Sequence, residues 1–246
     1  EYVVTGDAKE NNDFLKQTQK FLVSYAQKFN MQDLVTKKEP EFLKAIQKIE
    51  TDLNKNIDEV AGTTKADSDV VKWKKNDLVS TLLNVMSQYK MNYGKLTNNP
   101  AFKVSKAFTD YENKLQPNKD ELIQQSPSYR NYLLSTMGEE YMKYSAEKMK
   151  TNVDASTSEV FADFLNSKKE ISQLEKDYLL AYVIAQSDIT PSADANMVKK
   201  VNDIIEKNIK DATVKKDIQH LQFVISGVKL GDLAPDAALT KEDGKA

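Results

Sequence analysis

The chain has no cysteine among its 246 residues. That excludes disulfides, thiol catalysis and thiolate metal sites within this sequence. It has one histidine, His220. Any histidine-dependent nucleophile would have to use it, and a carboxylate-bridged di-metal site needs two acid/histidine motifs, so a second cannot be built. It has a single arginine, Arg130, and a net charge of −2. Phosphate and nucleic-acid sites favour the guanidinium fork on a strongly basic surface, so a nucleic-acid partner is not expected. With 7 glycines and 6 prolines, turn punctuation is sparse, which argues against a many-stranded β fold. No apolar run approaches the roughly 18–20 residues that span a bilayer, and there is no glycine-rich phosphate loop.

What is present is helical periodicity. Lysines alternate with Glu and Asp, as on solvated helix faces. Phe14, Leu15, Thr18, Phe21, Leu22, Tyr25 and Phe29 make one apolar stripe, with Asn12 or Asp13 as the expected N-cap. Pro40 suits a helix start, and Phe42, Leu43, Ile46, Ile49, Leu53, Ile57 and Val60 follow at helical spacing up to Gly62. A third helix, capped by Ser68 or Asp69, carries Val70, Trp73, Leu78, Leu82, Val85, Met86 and Tyr89, with Trp73 read as a core anchor. Residues 92–100 read as a break. A shorter helix then carries Phe102, Val104, Phe108, Tyr111 and Leu115 to Pro117, and residues 118–125 read as one or two turns.

Tyr129 to Lys150 reads as a long helix, and a further one starts from Ser156 or Thr157. Leu174 to Ser187 is the most apolar stretch and is expected to be buried on most sides. Two more stripes run over Met197–Ile209 and Val214–Ile225. The expected fold is therefore all-α: an irregular bundle of about nine helices in antiparallel hairpins. Tyr2-Val-Val-Thr-Gly6 reads as a short extended N-terminal arm, and the C-terminal tail reads as extended. No repeat of 34 residues or so is present, against a tetratricopeptide array. Residues 1–229 form the helical domain on this reading, with a candidate subdivision near 92–127.

Few constellations point to chemistry. Asp217 and His220 are an i, i+3 pair on one helix and read as surface residues. Glu139-Glu140 and the Asp110/Glu112 pair read as solvated face residues, because sequence neighbours on a helix diverge by about 100°. A helical enzyme has no support beyond such carboxylates. Tyr129, Arg130, Tyr132, Tyr141 and Tyr144 share one segment and form the candidate interaction surface, since aromatic residues and arginine recur in binding hot spots. No catalytic residue, metal site or cofactor is expected in these residues.

The last sixteen residues carry a motif. Gly231, Ala234, Pro235, Leu239, Asp243, Gly244 and Lys245 fall in the order G-x-x-A-P-x-x-x-L followed by D-G-K. Pro235 fixes its φ and biases Ala234 to extended geometry, and Asp243-Gly244 supplies a hairpin turn. This segment resembles the opening of a thioredoxin-like redoxin domain, the superfamily of alkyl hydroperoxide reductase/thiol-specific antioxidant proteins and envelope thiol–disulfide oxidoreductases. The family's aromatic after the Pro-Asp pair is Ala237 here. The resemblance implies that residues 230–246 begin a redoxin domain with a redox-active cysteine pair beyond Ala246. No catalytic residue carries over, because Gly231 and Pro235 match structural positions.

On this resemblance the helical region is a non-catalytic accessory domain of a cell-envelope thiol–disulfide oxidoreductase. It would position its own downstream redox domain, bind client proteins or mediate homodimerisation. The implied location is the periplasmic side of a bacterial envelope. The chain opens at Glu1 with no signal-like segment, so the expectation is a removed upstream piece, a signal peptide of the lipoprotein type, as the sole route to a membrane. The alternative is a stand-alone helical interaction or chaperone-like protein, with a concave apolar groove along the Tyr129–Tyr144 helix.

Overall fold

The computed structural model describes residues 6, 8–28 and 31–226. Among them are eleven α-helices and no strand. The helices are α1 (Lys9–Ala26), α2 (Met31–Val35), α3 (Glu39–Thr64), α4 (Ser68–Leu96), α5 (Lys106–Lys114), α6 (Lys119–Gln125), α7 (Pro127–Thr151), α8 (Thr157–Ser167), α9 (Gln173–Ser187), α10 (Ala195–Asn208) and α11 (Ala212–Ser226). The all-α reading holds. The count exceeds nine because α2 and α6, at 5 and 7 residues, are too short to show a stripe. The expected arm at Tyr2–Thr5 and the tail with its family-motif residues lie outside the described residues.

The chain divides into two compact units, Glu1–Met142 and Lys143–Ala246. The candidate subdivision near 92–127 falls inside the first unit, and that stretch contains the end of α4, all of α5 and α6, and the start of α7.

In the first unit, α1, α3 and α4 pack as antiparallel neighbours. Asn11 near the start of α1 bonds Asp67 just before α4, at 2.6 Å, while Tyr25 near its end reaches Asp52 in α3, also at 2.6 Å. The α3 stripe buries Phe42, Leu43, Ile46, Leu53, Ile57 and Val60 as its spacing predicts. An aromatic stack sits where α3, α4 and α5 meet. Phe42 lies 3.9 Å from Tyr89, and Phe108 about equally far from both, at 6.0 and 5.9 Å. Fully burying each such ring is worth about 1.5–3 kcal/mol, with about 0.5–1.5 more for a well-placed aromatic pair.

Several boundaries differ from the sequence reading. Helix α1 starts at Lys9, so Asn12 and Asp13 lie inside it, and the Asn12 amide donates back to the Ala8 carbonyl. Gly62 does not end α3: the helix runs to Thr64 and the left-handed cap position falls on Lys65, φ 60°. The residue before α4 is Asp67, whose carboxylate is turned to Asn11 instead of capping the helix. Helix α4 continues through Asn92 to Leu96. Gly94 still has a reason to be glycine. The chain leaves α4 through Asn98, φ 53°, and folds back so that a Cβ at 94 would stand 2.7 Å from the Asn99 carbonyl oxygen. Trp73 is a surface residue, 38% exposed, and its indole N–H donates to the Gln125 carbonyl at the end of α6.

The second unit is built on α9, which packs on α8 and α11, with α10 against α8. Its core is aliphatic and phenylalanine-rich: Val160, Phe161, Phe164, Leu165, Leu179, Leu180, Ile184, Val201, Ile205, Ile209, Val214 and Ile218 are buried. Helix α9 is not buried on most sides. Tyr182 is exposed, while the buried face includes two carboxylates, Glu175 and Asp177. Both are satisfied. Glu175 closes a capping box with Ser172. Asp177 accepts from the backbone N–H of Lys210 (2.8 Å) and Asp211 (2.6 Å) and from the Gln173 amide (2.6 Å). It therefore fixes the turn into α11, and Asp211 in turn caps that helix through the N–H groups of Thr213 and Val214.

Candidate functional site

The tyrosines of α7 do not form one surface. Tyr129 and Tyr132 come together with rings 5.8 Å apart, and both are buried in the first unit. The Tyr129 hydroxyl donates to Gln116 at 3.0 Å, and the Tyr132 hydroxyl donates to the Glu112 carboxylate at 3.0 Å. Arg130 spends its Nε and one terminal nitrogen on the carbonyls of Ile123 and Gln124, each at 3.0 Å. Those are carbonyls left open at the end of α6, so the guanidinium acts as its C-terminal cap. Tyr141 is half-buried in the first unit. Tyr144 belongs to the second, where its ring packs 5.5 Å from Phe164 with Lys148 Nζ 5.7 Å from it.

The acids sort the same way. Glu112 is not a solvated face residue: it is 5% exposed, held by Tyr132 and by Lys90 at 3.8 Å. Asp110 is exposed and paired with Lys106. Glu139, Glu140, Asp217 and His220 are exposed. Among the described residues no group of three or more His, Cys, Asp or Glu side chains could hold a metal ion. None of their helices is long and apolar enough to cross a membrane.

Other tyrosine hydroxyls are also engaged in structure. Tyr111 donates to Glu50 at 2.6 Å, and Tyr89 to the Lys37 carbonyl at 3.0 Å. Burial, then the neighbouring carboxylate, raises the hydroxyl pKa of Tyr25 and of Tyr111 well above the ordinary tyrosine value. The Asp52 carboxyl is lowered by its bonds to Lys48 and Tyr25. These groups serve as hydrogen-bond donors and acceptors in the packing.

A concave feature among the described residues of the first unit is a cavity of about 160 Å³ between α1, α2, α3 and α4. Phe21, Leu22, Leu34, Ile49, Leu53 and Leu82 supply much of its apolar wall. It is of the size that holds a small apolar molecule, since an apolar cavity of about 150 Å³ stays dry and admits benzene. The hydroxyls that border it are engaged. Thr18 bonds the Phe14 carbonyl at 2.8 Å, Thr81 the Asp77 carbonyl at 2.9 Å, and Tyr25 bonds Asp52. The remaining polar groups on its wall are Asn56, Lys74 and Asp77.

Sequence reasoning missed this cavity. Its wall residues were legible as helix stripes, but a stripe shows which side chains face inward and not whether they meet. Lys74 was read with the solvated lysines, although it is 8% exposed. A lysine one position after Trp73 and four before Leu78, on the apolar side of α4, was the available signal. Comparison with known proteins gave no match: no family model, no curated protein and no solved structure is similar to this chain.

Proposed function

We propose that this chain is a non-catalytic helical accessory domain of a cell-envelope thiol–disulfide oxidoreductase. The observation that carries the reading is the run Gly231, Ala234, Pro235, Leu239, Asp243, Gly244, which follows α11 in sequence and resembles the opening of a redoxin domain. The lack of cysteine supports a division of labour, with the thiol chemistry in a following domain and none here. The side chains that sequence alone offers for chemistry are tied into packing: Tyr129, Tyr132, Arg130 and Glu112 hold α5, α6 and α7 together. The role that remains is to position the redox domain, bind client proteins or pair two copies. An envelope location with an upstream lipid anchor belongs to the same proposal.

The test is made on the intact gene product. Removing residues 1–229 leaves reduction of a small aromatic disulfide unchanged and slows reduction of a protein disulfide. A product with no redox-active cysteine, or reductase turnover by residues 1–246 alone, contradicts the proposal.

A second reading, a stand-alone helical binding protein, is favoured by the cavity between α1 and α4. It predicts binding by this chain alone. The groove expected along α7 gives it no support, because Tyr129 and Tyr132 face the core.

A further inference from the structure

We infer that the cavity between α1, α2, α3 and α4 is a binding site for a medium-chain aliphatic molecule carrying an oxygen acceptor, carboxylate or hydroxyl, at one end. This goes beyond the accessory-domain reading and does not depend on it.

The apolar part of the argument is size and lining. At about 160 Å³ the space exceeds the gaps left by ordinary packing, which are seldom larger than a water molecule. Its wall is made by Leu22, Leu34, Ile49, Leu53 and Leu82 with the Phe21 ring. The bordering hydroxyls of Thr18, Tyr25 and Thr81 are already engaged within the protein.

The polar part is Lys74. Its side chain is 10% exposed, and its ammonium has Asp77 Oδ2 at 3.1 Å and the Trp73 ring at 5.9 Å. An ammonium carries three donors. Asp77 takes one, and among the described residues no second acceptor bonds Lys74. Asn56, across the cavity on α3, adds an amide with no hydrogen-bond partner among the described residues. Lys74 and Asn56 thus border the space from α4 and α3, while almost all of its exposed wall is apolar. That arrangement fits a ligand with one acceptor end and a hydrocarbon body. Asp77 already balances the lysine charge, so the site accommodates a neutral hydroxyl as well as a carboxylate.

The experiment is a titration of the ¹⁵N-labelled chain with sodium octanoate and, separately, with 1-octanol, each below its aggregation concentration. The expected result is saturable one-to-one shifts at the amides of residues 49–57 and 74–82 for at least one of them. Tighter binding of octanoate assigns the natural head as a carboxylate, and tighter binding of octanol assigns it as a hydroxyl. Lys74→Met keeps the stem and removes the donors, and it weakens the preferred probe at least tenfold. Ile49→Trp fills the space from the half-buried edge and abolishes binding, with thermal unfolding checking that the variant remains folded. Should Ile49→Trp fail to fold, Lys74→Met decides the matter alone. No saturable shift with either probe, or the same affinity in Lys74→Met as in the parent, overturns the inference.

Discussion

The two units solve the problem of buried polar groups differently. In the first, the long helices α1, α3 and α4, of 18, 26 and 29 residues, begin without a side-chain cap. They are tied together by tyrosine hydroxyls reaching other elements: Tyr25 to Asp52, Tyr89 to Lys37, Tyr111 to Glu50. In the second, α8, α9 and α10, of 11 to 15 residues, each begin on a capping side chain, Ser156, Ser172 and Asp194. Length accounts for most of the difference, although α7, at 25 residues, begins on Ser126, whose hydroxyl accepts from the Tyr129 N–H. Helix nucleation is costly and each added residue contributes propagation, so a long helix carries its open ends easily while a short one depends on them. The capped starts of α5 and α6, short helices within the first unit, follow the same rule.

The largest expected effect breaks the first unit at its aromatic stack. Phe42→Ala removes a fully buried ring from between Tyr89 and Phe108 and costs about 3–5 kcal/mol. Site-resolved hydrogen exchange should show the loss over α3, α4 and α5. Next is Asp177→Ala, which leaves the Lys210 and Asp211 N–H groups without their acceptor and costs about 3 kcal/mol, since each buried unsatisfied donor costs about 1–3 kcal/mol. Its exchange signature should fall on α9 and α11. If either variant loosened both units equally, the division at Met142 would carry no energetic meaning.

Ser172→Ala sharpens the capping comparison. It removes the acceptor for the Glu175 N–H and costs about 1 kcal/mol, read from the denaturant midpoint. Asp67→Ala before α4 should cost less through capping, because that carboxylate makes no cap bond.

The smallest effect is pH-dependent. The Glu121 carboxyl is lowered mainly by its bond to Lys72, at 2.7 Å. A carboxyl with a depressed folded pKa contributes stability that is present above its unfolded value, about 4.3, and is lost as pH falls through the lower folded value. The stability gap between the parent and Glu121→Gln should therefore be present at pH 7 and close on acidification below about 4. A gap that widened on acidification would reverse the sign of the argument.

Where sequence reading succeeded and failed follows the same physics. The α3 stripe was legible at every position but Ile49, which is half-buried, because a long helix buried on one face repeats its pattern many times. The start of α8 was legible because the Ser156 cap acts within three residues, whereas the caps Ser172 and Asp194 of α9 and α10 went unread. The caps expected on α1 and α4 were misplaced: α1 starts at Lys9, so Asn12 and Asp13 lie inside it, and α4 starts at Ser68, so Ser68 and Asp69 are its first two residues. Tyr129 and Tyr132 of α7 suggested a surface, but their hydroxyls find Gln116 and Glu112, partners 13 and 20 residues away that no local pattern announces. The cavity was invisible for a related reason: it depends on how four helices fail to interdigitate, and periodicity carries no such information.

The most direct measurement of the central claim is the sequence of the source gene beyond the codon for Ala246. The account predicts a continuation of on the order of 100–150 residues, the size of one domain, holding a redox-active cysteine pair. A stop codon at that point, or a continuation without cysteine, would contradict it.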